Sequence, residues 1–158
     1  MWFDEFKTPI GMLKIAVNAQ GLRYVLFESN KHEPASVVDW KKDRSATNEA
    51  RQQLLQYFSG ERKEFQLELS LAGTEFQLRT WQMLASIPYG HTWSYAELAK
   101  RVDSPKAVRA VGAANGRNPL PIVLPCHRVI GSNGSLTGFG GGLPVKKWLL
   151  EHEHRQTT

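Results

Sequence analysis

The sequence predicts an α+β chain built as two lobes, strands first and helices after. Three observations carry this. Up to residue 72, apolar and polar residues alternate in short runs, the period of half-buried strands. Beyond it, apolar residues recur at helical spacing behind legible helix-start signals. The composition shifts between the two at SLAGT, residues 70–74, so the expected domains are 1–72 and 73–158, with no internal repeat.

In the first lobe, IGMLKIAVNAQGLRYVLFE alternates on both sides of NAQG and reads as a β-hairpin turning at Asn18 to Gly21. A polar loop containing Pro34 follows over residues 29–44. ATNEARQQLLQYFSG places Ala50, Leu54, Tyr57 and Phe58 on one face of a helix closed by Gly60. KEFQLELSL alternates again and is expected as another strand.

In the second lobe, TEFQ sets Thr74 as N-cap with Gln77 as its reciprocal partner, opening a helix that stops at Pro88. SYAE repeats the device with Ser94 and Glu97, after which Tyr95, Leu98, Ala99 and Val102 share a face. DSP breaks the chain, with Ser104 as cap and Pro105 at the first position of the next helix. That helix, PKAVRAVGAAN, is expected to bury Ala107, Val108, Val111 and Ala114 and to turn Lys106, Arg109, Ala110 and Ala113 outward. Two short helices joined by three residues form a helix-turn-helix pattern. Small side chains let the second helix approach a groove while Arg and Lys hold phosphates. An ordinary helical hairpin with alanine chosen for propensity has the same pattern.

Composition narrows the function classes. No apolar run approaches the ~18 residues of a membrane-spanning helix, and MWFDEFKTPIG lacks the apolar core of a secretory signal. The single cysteine excludes an internal disulfide or a zinc site needing two thiolates, and a reducing cytoplasm is the expected location. A net charge of +5 and a pI near 9.5 favour a polyanionic partner such as nucleic acid.

That one cysteine stands in NPLPIVLPCHRVIG. A lone Cys is commonly a small core hydrophobe. Here an apolar strand through Ile122, Val123 and Leu124 is expected to present Cys126 at its end, with His127 next to it as a base. A free thiol is only a few per cent ionised at neutral pH, so a reactive one needs such help. Neighbours on an extended chain face opposite ways, so the two are expected to communicate through water. In PVKKWLLEHEHR, Val145, Trp148 and Leu149 form an inward stripe on which Glu153 also falls. A carboxylate there needs a partner, and His127 would serve; a frayed, solvated helix end is the other reading. TGFGGG is too glycine-rich for a regular element and suits a loop laid against a flat ligand. It lacks the GK[ST] ending of a phosphate loop.

PCHRVIG after NPLPIV, with SYAELA and KAVRAVGAAN upstream, resembles the O6-alkylguanine-DNA alkyltransferases. The resemblance runs through the whole second lobe, from GTEFQ through IPYG to GGLPVKKWLLEHE, and more loosely through the hairpin and YFSGER of the first. It implies an N-terminal ribonuclease-H-like α/β roll and a C-terminal helical, winged-helix-like lobe carrying the helix-turn-helix. It also implies repair of DNA by irreversible, single-turnover transfer of an alkyl group from O6-alkylguanine to the protein itself, with O4-alkylthymine open as a second substrate. Cys126 is then the alkyl acceptor, His127 and Glu153 its relay through water, and Asn118 the residue that pins the adjoining turn. Tyr95 aids nucleotide flipping and donates a proton to the guanine ring, and Arg109 enters the duplex where the base has left. Lys106, Ala110 and Ala113 complete the DNA-facing surface, and Phe139, Gly140 and Gly141 wall the base pocket.

The implied partner is double-stranded DNA bearing alkylated bases, met from its minor-groove side by a monomer without cofactor or membrane. Animal relatives hold zinc in the first lobe, partly on cysteines absent here, so no metal is expected. Gly140 stands where some relatives carry serine, leaving donation to the alkylated oxygen to the backbone. The alternative is a non-catalytic binder of alkylated bases that recruits other enzymes, but such proteins replace the cysteine. A cysteine hydrolase would need an oxyanion site that nothing supplies. A sequence-specific regulator would need a helix face richer in base-reading groups.

Overall fold

A computed structural model describes residues 1–29 and 33–157. Strands β1 (Trp2–Thr8), β2 (Gly11–Asn18) and β3 (Gly21–Phe27) form an antiparallel meander, and the two-residue β4 (Lys41–Lys42) joins β1 in parallel, giving the order β3-β2-β1-β4. The expected hairpin is present: Asn18 Oδ1 accepts from the N–H groups of Gln20 and Gly21 at 2.8 and 3.1 Å. Strand β1 went unread in the sequence because its inward face carries Asp4. This carboxylate is 1% exposed and paired to Arg51 at 3.0 Å, so it interrupts the apolar alternation. The expected 29–44 loop contains a 3-10 turn, Ala35–Asp39, as well as β4, and its residues 30–32 lie outside the described residues.

KEFQLELSL is not a strand of the sheet. It makes a single parallel bridge, Leu22 with Leu69, through Leu22 N–H to Glu68 O (2.9 Å) and Ser70 N–H to Leu22 O (2.8 Å). Its alternation has another cause: Phe65, Leu67, Leu69 and Leu71 pack against the core from one side while the backbone finds only the start of β3 to pair with. Helix α1 (Asn48–Phe58) lays Ala50, Leu54, Tyr57 and Phe58 on the sheet side as expected.

The second lobe contains α2 (Glu75–Leu84), β5 (Trp93–Ser94), α3 (Tyr95–Arg101), α4 (Val108–Gly116), a 3-10 turn at Cys126–Arg128, β6 (Val129–Ile130) and α5 (Leu143–Thr157). The capping box of α2 has both its bonds, and the helix ends at Leu84, short of Pro88. Ser94 caps α3 through Glu97 N–H, but the reciprocal bond is missing because the Glu97 carboxylate pairs with Arg101 at 2.9 Å. The next helix starts later than Ser104 and Pro105 indicated. Residues 104–107 form a turn closed by Ala107 N–H to Ser104 O (2.9 Å), α4 begins at Val108, and that valine is exposed rather than buried. The connection from α3 is therefore longer than three residues, and Asp103 turns it at φ 58°.

The apolar stretch before the cysteine is also not a strand. Pro121 and Pro125 bracket it, and a proline has no N–H to give a ladder. Leu124 N–H bonds back to Leu120 O (2.8 Å), and Ile122 is held at φ 75°, a costly conformation for a β-branched residue. The shared core runs from Leu13, Ile15 and Val25 on the sheet to Trp81, Leu98, Val111 and Leu149 on the helices. Gly21 sits at φ 142° where a Cβ would run into the Glu68 carbonyl. Gly21→Ala is expected to part the hairpin from the 65–71 segment and to lower stability by about 2 kcal/mol or more in urea unfolding.

Candidate active site

Asn118 builds the turn that carries the cysteine. Its Nδ2 donates to Leu124 O at 2.7 Å and its Oδ1 accepts from Leu120 N–H at 2.9 Å, so one side chain closes the loop from both ends. The constrained Ile122 follows from that closure, and the chain leaves it to enter the short 3-10 turn holding Cys126, His127 and Arg128. Asn115, near the end of α4, steadies the same turn by donating to Cys126 O at 3.3 Å.

Cys126 is 4% exposed yet lines a cavity of about 240 Å³. The walls come from both lobes: Val25 and Phe27 of β3, Trp81 of α2, Asn115 of α4, and Phe139 and Gly140 of the glycine-rich loop. That space suits one flat bicyclic base rather than a larger ligand. Arg23 and the exposed Arg117 also line it. Burial pushes the Cys126 thiol up to about 11, against the opposing Asn118 side chain, the Lys146 charge and nearby backbone N–H groups. At rest the thiol therefore keeps its proton, and a base has to remove it when it reacts.

A group able to accept that proton is adjacent. His127 is fully buried, its Nε2 lies 2.6 Å from Glu153 Oε2, and its Nδ1 is buried with no hydrogen-bond partner. Burial lowers the proton affinity of His127, with the Glu153 contact opposing. In the neutral ring Nε2 donates to the carboxylate and Nδ1 is left as an acceptor. The Cys126–His127 pair thus stands on a turn, not an extended strand, and the rule of opposite faces does not apply to it.

Glu153 is inward and buried, not frayed. Arg128 grips it with two bonds, Nε to Oε1 at 2.7 Å and Nη2 to Oε2 at 3.0 Å; Tyr57 donates to Oε2 at 2.7 Å and Gly90 N–H to Oε1 at 3.3 Å. Burial alone would raise its pKa, but the bonds and charges from His127 and Arg128 overcome this and hold the carboxyl well below the usual range. Arg128 and Tyr57 were missed in the sequence as partners of Glu153: Tyr57 lies on the inward stripe of α1, but that stripe says only that it is buried, and Arg128 lies on no periodic element.

Tyr95 lies beside the loop: its hydroxyl donates to Thr137 O at 3.0 Å. The buried Lys146 donates to the same oxygen at 3.0 Å and to Val129 O at 2.6 Å, fastening loop to strand. Lys146 was also missed, although its spacing three residues before Leu149 and seven before Glu153 places it on their inward stripe. Arg109, Ala110 and Ala113 are exposed on α4, with Lys106 exposed in the turn before it. Six residues of helix rise separate Arg109 from Asn115 at the cavity, about 9 Å. Phe139 and Gly140 line the cavity, but Gly141 does not; a Cβ there would stand 2.5 Å from the Phe27 ring, so its glycine serves packing. Among the described residues, no group of three or more His, Cys, Asp or Glu could hold a metal ion.

These features define a class: a two-lobe α+β protein with its one cysteine in the wall of a base-sized pocket, beside a helix that carries Arg109 on its exposed face. Residues 3–71 match the model of the 6-O-methylguanine DNA methyltransferase ribonuclease-like domain, and residues 75–155 that of the same family's DNA-binding domain. Similar chains named methylated-DNA–protein-cysteine methyltransferase include one from Methanosarcina acetivorans, 46% identical over 97% of this chain and 98% of its own. One from Mycobacterium leprae is 51% identical over 94% of this chain and 90% of its own. The crystal structure of Mycobacterium tuberculosis OGT in complex with DNA superimposes with a TM-score of 0.94 at 45% identity, covering 99% of this chain and 94% of that one. The chain belongs to the 6-O-methylguanine-DNA methyltransferase family.

Two predictions follow from the geometry. Folded Glu153 and folded His127 both bind protons less readily than in the unfolded chain. Stability is therefore full at neutral pH and declines on acidification, first through the ordinary histidine range near pH 6.5 and then below about pH 4. Glu153→Gln should remove the lower part of that slope in pH-dependent urea unfolding, while costing about 3–5 kcal/mol at pH 7 by stranding Arg128. Gly141→Ala should cost about 1–3 kcal/mol against Phe27. Gly140→Ala, whose Cβ has only Gly116 O at 3.9 Å, should leave the urea midpoint unchanged.

Proposed function

We propose that this chain repairs alkylated DNA by moving the alkyl group of O6-alkylguanine irreversibly onto Cys126, one turnover per molecule. The observation that carries the reading is the placement of Cys126 in a base-sized cavity, with a buried His127–Glu153 pair beside it whose remaining imidazole nitrogen is unpartnered. Belonging to a family whose members are named for transfer from methylated DNA to a protein cysteine supports it.

A stacked base cannot present its O6-alkyl carbon to a recessed sulfur, so the nucleotide must leave the helix, at a cost of about a few kcal/mol. The exposed face of α4 lies against the minor groove, and Arg109 fills the gap left in the stack. The base enters between Phe139 and Gly140 on one side and Val25 and Trp81 on the other. Sγ attacks the alkyl carbon, the C–O bond breaks as the C–S bond forms, and the electron pair passes to the guanine oxygen. The thiol proton leaves through a water to His127 Nδ1, with the ionised Glu153 steadying the imidazolium. The departing guanine takes one proton in return, delivered by Tyr95 once its hydroxyl leaves Thr137 O. The proton taken up by His127 returns through water to restore the phenol, so thiol and alkyl ether become thioether and guanine with no net change in protons. The C–S bond has no built route for hydrolysis, so the protein is consumed.

The binder alternative has no feature in its favour, since the cysteine and its relay are in place. An unpaired cysteine suits a reducing compartment, the cytoplasm; among the described residues no helix is long and apolar enough to cross a membrane.

Mixing the protein with duplex DNA bearing O6-methylguanine should add the mass of one methyl, stoichiometrically, on the Cys126 peptide in intact-mass and peptide analysis. Cys126→Ser should abolish the gain and leave DNA affinity within about twofold. Arg109→Ala should slow transfer from duplex DNA by at least about tenfold while reaction with free O6-benzylguanine is unchanged; equal slowing on both substrates would remove Arg109 from the flipping step.

A further inference from the structure

The relay carboxylate is held by a residue from the other lobe. Tyr57 lies in the last turn of α1, and its side chain is fully buried. Its hydroxyl donates at 2.7 Å to Glu153 Oε2, the same oxygen that lies 2.6 Å from His127 Nε2. A second bond runs back across the seam, with His152 Nε2 2.8 Å from the backbone carbonyl Tyr57 O, so the chain that carries the phenol is tied to α5. The His152 ring meets Tyr57 edge-on at 5.3 Å and stacks on Trp148 at 4.8 Å.

We propose that Tyr57, reaching from the first lobe, is a positioning residue for alkyl transfer: its hydroxyl takes up part of the charge on Glu153 Oε2 and so limits how firmly His127 holds a proton. This rests on the reading of His127 as the base that receives the thiol proton. The Glu153 contact favours a proton on His127 and burial disfavours one, so the balance that leaves Nδ1 able to accept depends on how much charge Oε2 presents to the ring. Arg128 spreads its two bonds over both carboxylate oxygens and fixes their orientation. Tyr57 acts on the one oxygen that His127 uses.

Among the described residues, Lys146, Arg128, Tyr89, Gly90 and Cys126 also face this cluster. The Lys146 and Arg128 charges both disfavour a proton on His127. Tyr89 feels the Glu153 charge from the α2–β5 connection, and Gly90 N–H closes Oε1. Cys126 completes the set. Burial and the adjacent Glu153 both raise Tyr57 well above the usual tyrosine range, so it remains a donor across the working pH. The first lobe therefore enters the chemistry through one hydroxyl, besides lining the pocket with β3.

The test compares full-length wild type, Tyr57→Phe and protein carrying 3-fluorotyrosine at position 57, whose more acidic hydroxyl donates more strongly. Each is reacted with free O6-benzylguanine from about pH 5 to pH 8, the span in which imidazoles titrate, and the His127 ring is titrated by NMR in the same samples. Tyr57→Phe should move the acid limb and the His127 titration together to higher pH. Its rate should fall about fivefold on the acid side and return to the wild-type value near pH 8. The fluorinated protein should move both the opposite way. A Tyr57→Phe protein whose His127 titration coincides with wild type overturns the inference, as does a loss of rate equal at every pH, which marks packing alone. Wild type that takes no benzyl group on Cys126 would instead sink the repair reading, and the NMR titration would still decide the role of Tyr57.

Discussion

The Glu153 carboxylate, 1% exposed, accepts hydrogen bonds from Tyr57, Gly90, His127 and Arg128, and keeping its charge inside the protein is the constraint on which the rest of the molecule turns. A lone carboxylate at that depth would be protonated or expelled. It remains because Arg128 neutralises it and the other donors fill its lone pairs. Those donors come from α1, the α2–β5 connection and the cysteine turn, so satisfying one charge brings both lobes and the nucleophile into register. Removing any one partner leaves the others paired imperfectly in a medium where that is expensive.

A second tension lies between shelter and reactivity. The thiol is buried enough to be held protonated near pH 7, which protects a protein that reacts once from losing its cysteine to stray oxidants. The same burial would make it inert without a base. In the proposed reaction the neutral His127, whose Nδ1 has no hydrogen-bond partner, answers this locally, and the cavity gives the sulfur access to a flipped nucleobase. Asn118 holds the turn between these requirements: it closes the loop that constrains Ile122 and lowers the cost of charge on sulfur. The pocket wall is kept in place from behind by Lys146 and Tyr95, both donating to Thr137 O.

Much of this was legible in the sequence because it is local. Helix periodicity and caps found α1, α2 and α3, and the turn at Asn18 to Gly21 found the main hairpin. The stripe on α5 found Glu153. The failures share a cause. KEFQLELSL and the run before Cys126 carry strand-like patterns, but a strand needs a neighbouring edge, and the first has only Leu22 to pair with while the second is closed on itself by Asn118. The late start of α4 and the exposed Val108 have the same origin: Ser104 and Pro105 satisfy a local rule that the turn to Ala107 uses differently.

The sequence by itself determined the two-lobe α+β plan, the family and Cys126 as the candidate nucleophile, because each is written in contiguous residues whose chemistry is fixed by type and spacing. Only the tertiary structure decided which residues stand around Cys126 besides His127, Glu153 and Asn118. Tyr57, Arg128 and Lys146 come together with Glu153, His127 and Thr137 across separations of up to 96 residues. No periodicity encodes such meetings. They arise because a charge or a polar group left inside must be paired, and folding satisfies that demand with whichever donors packing brings within reach.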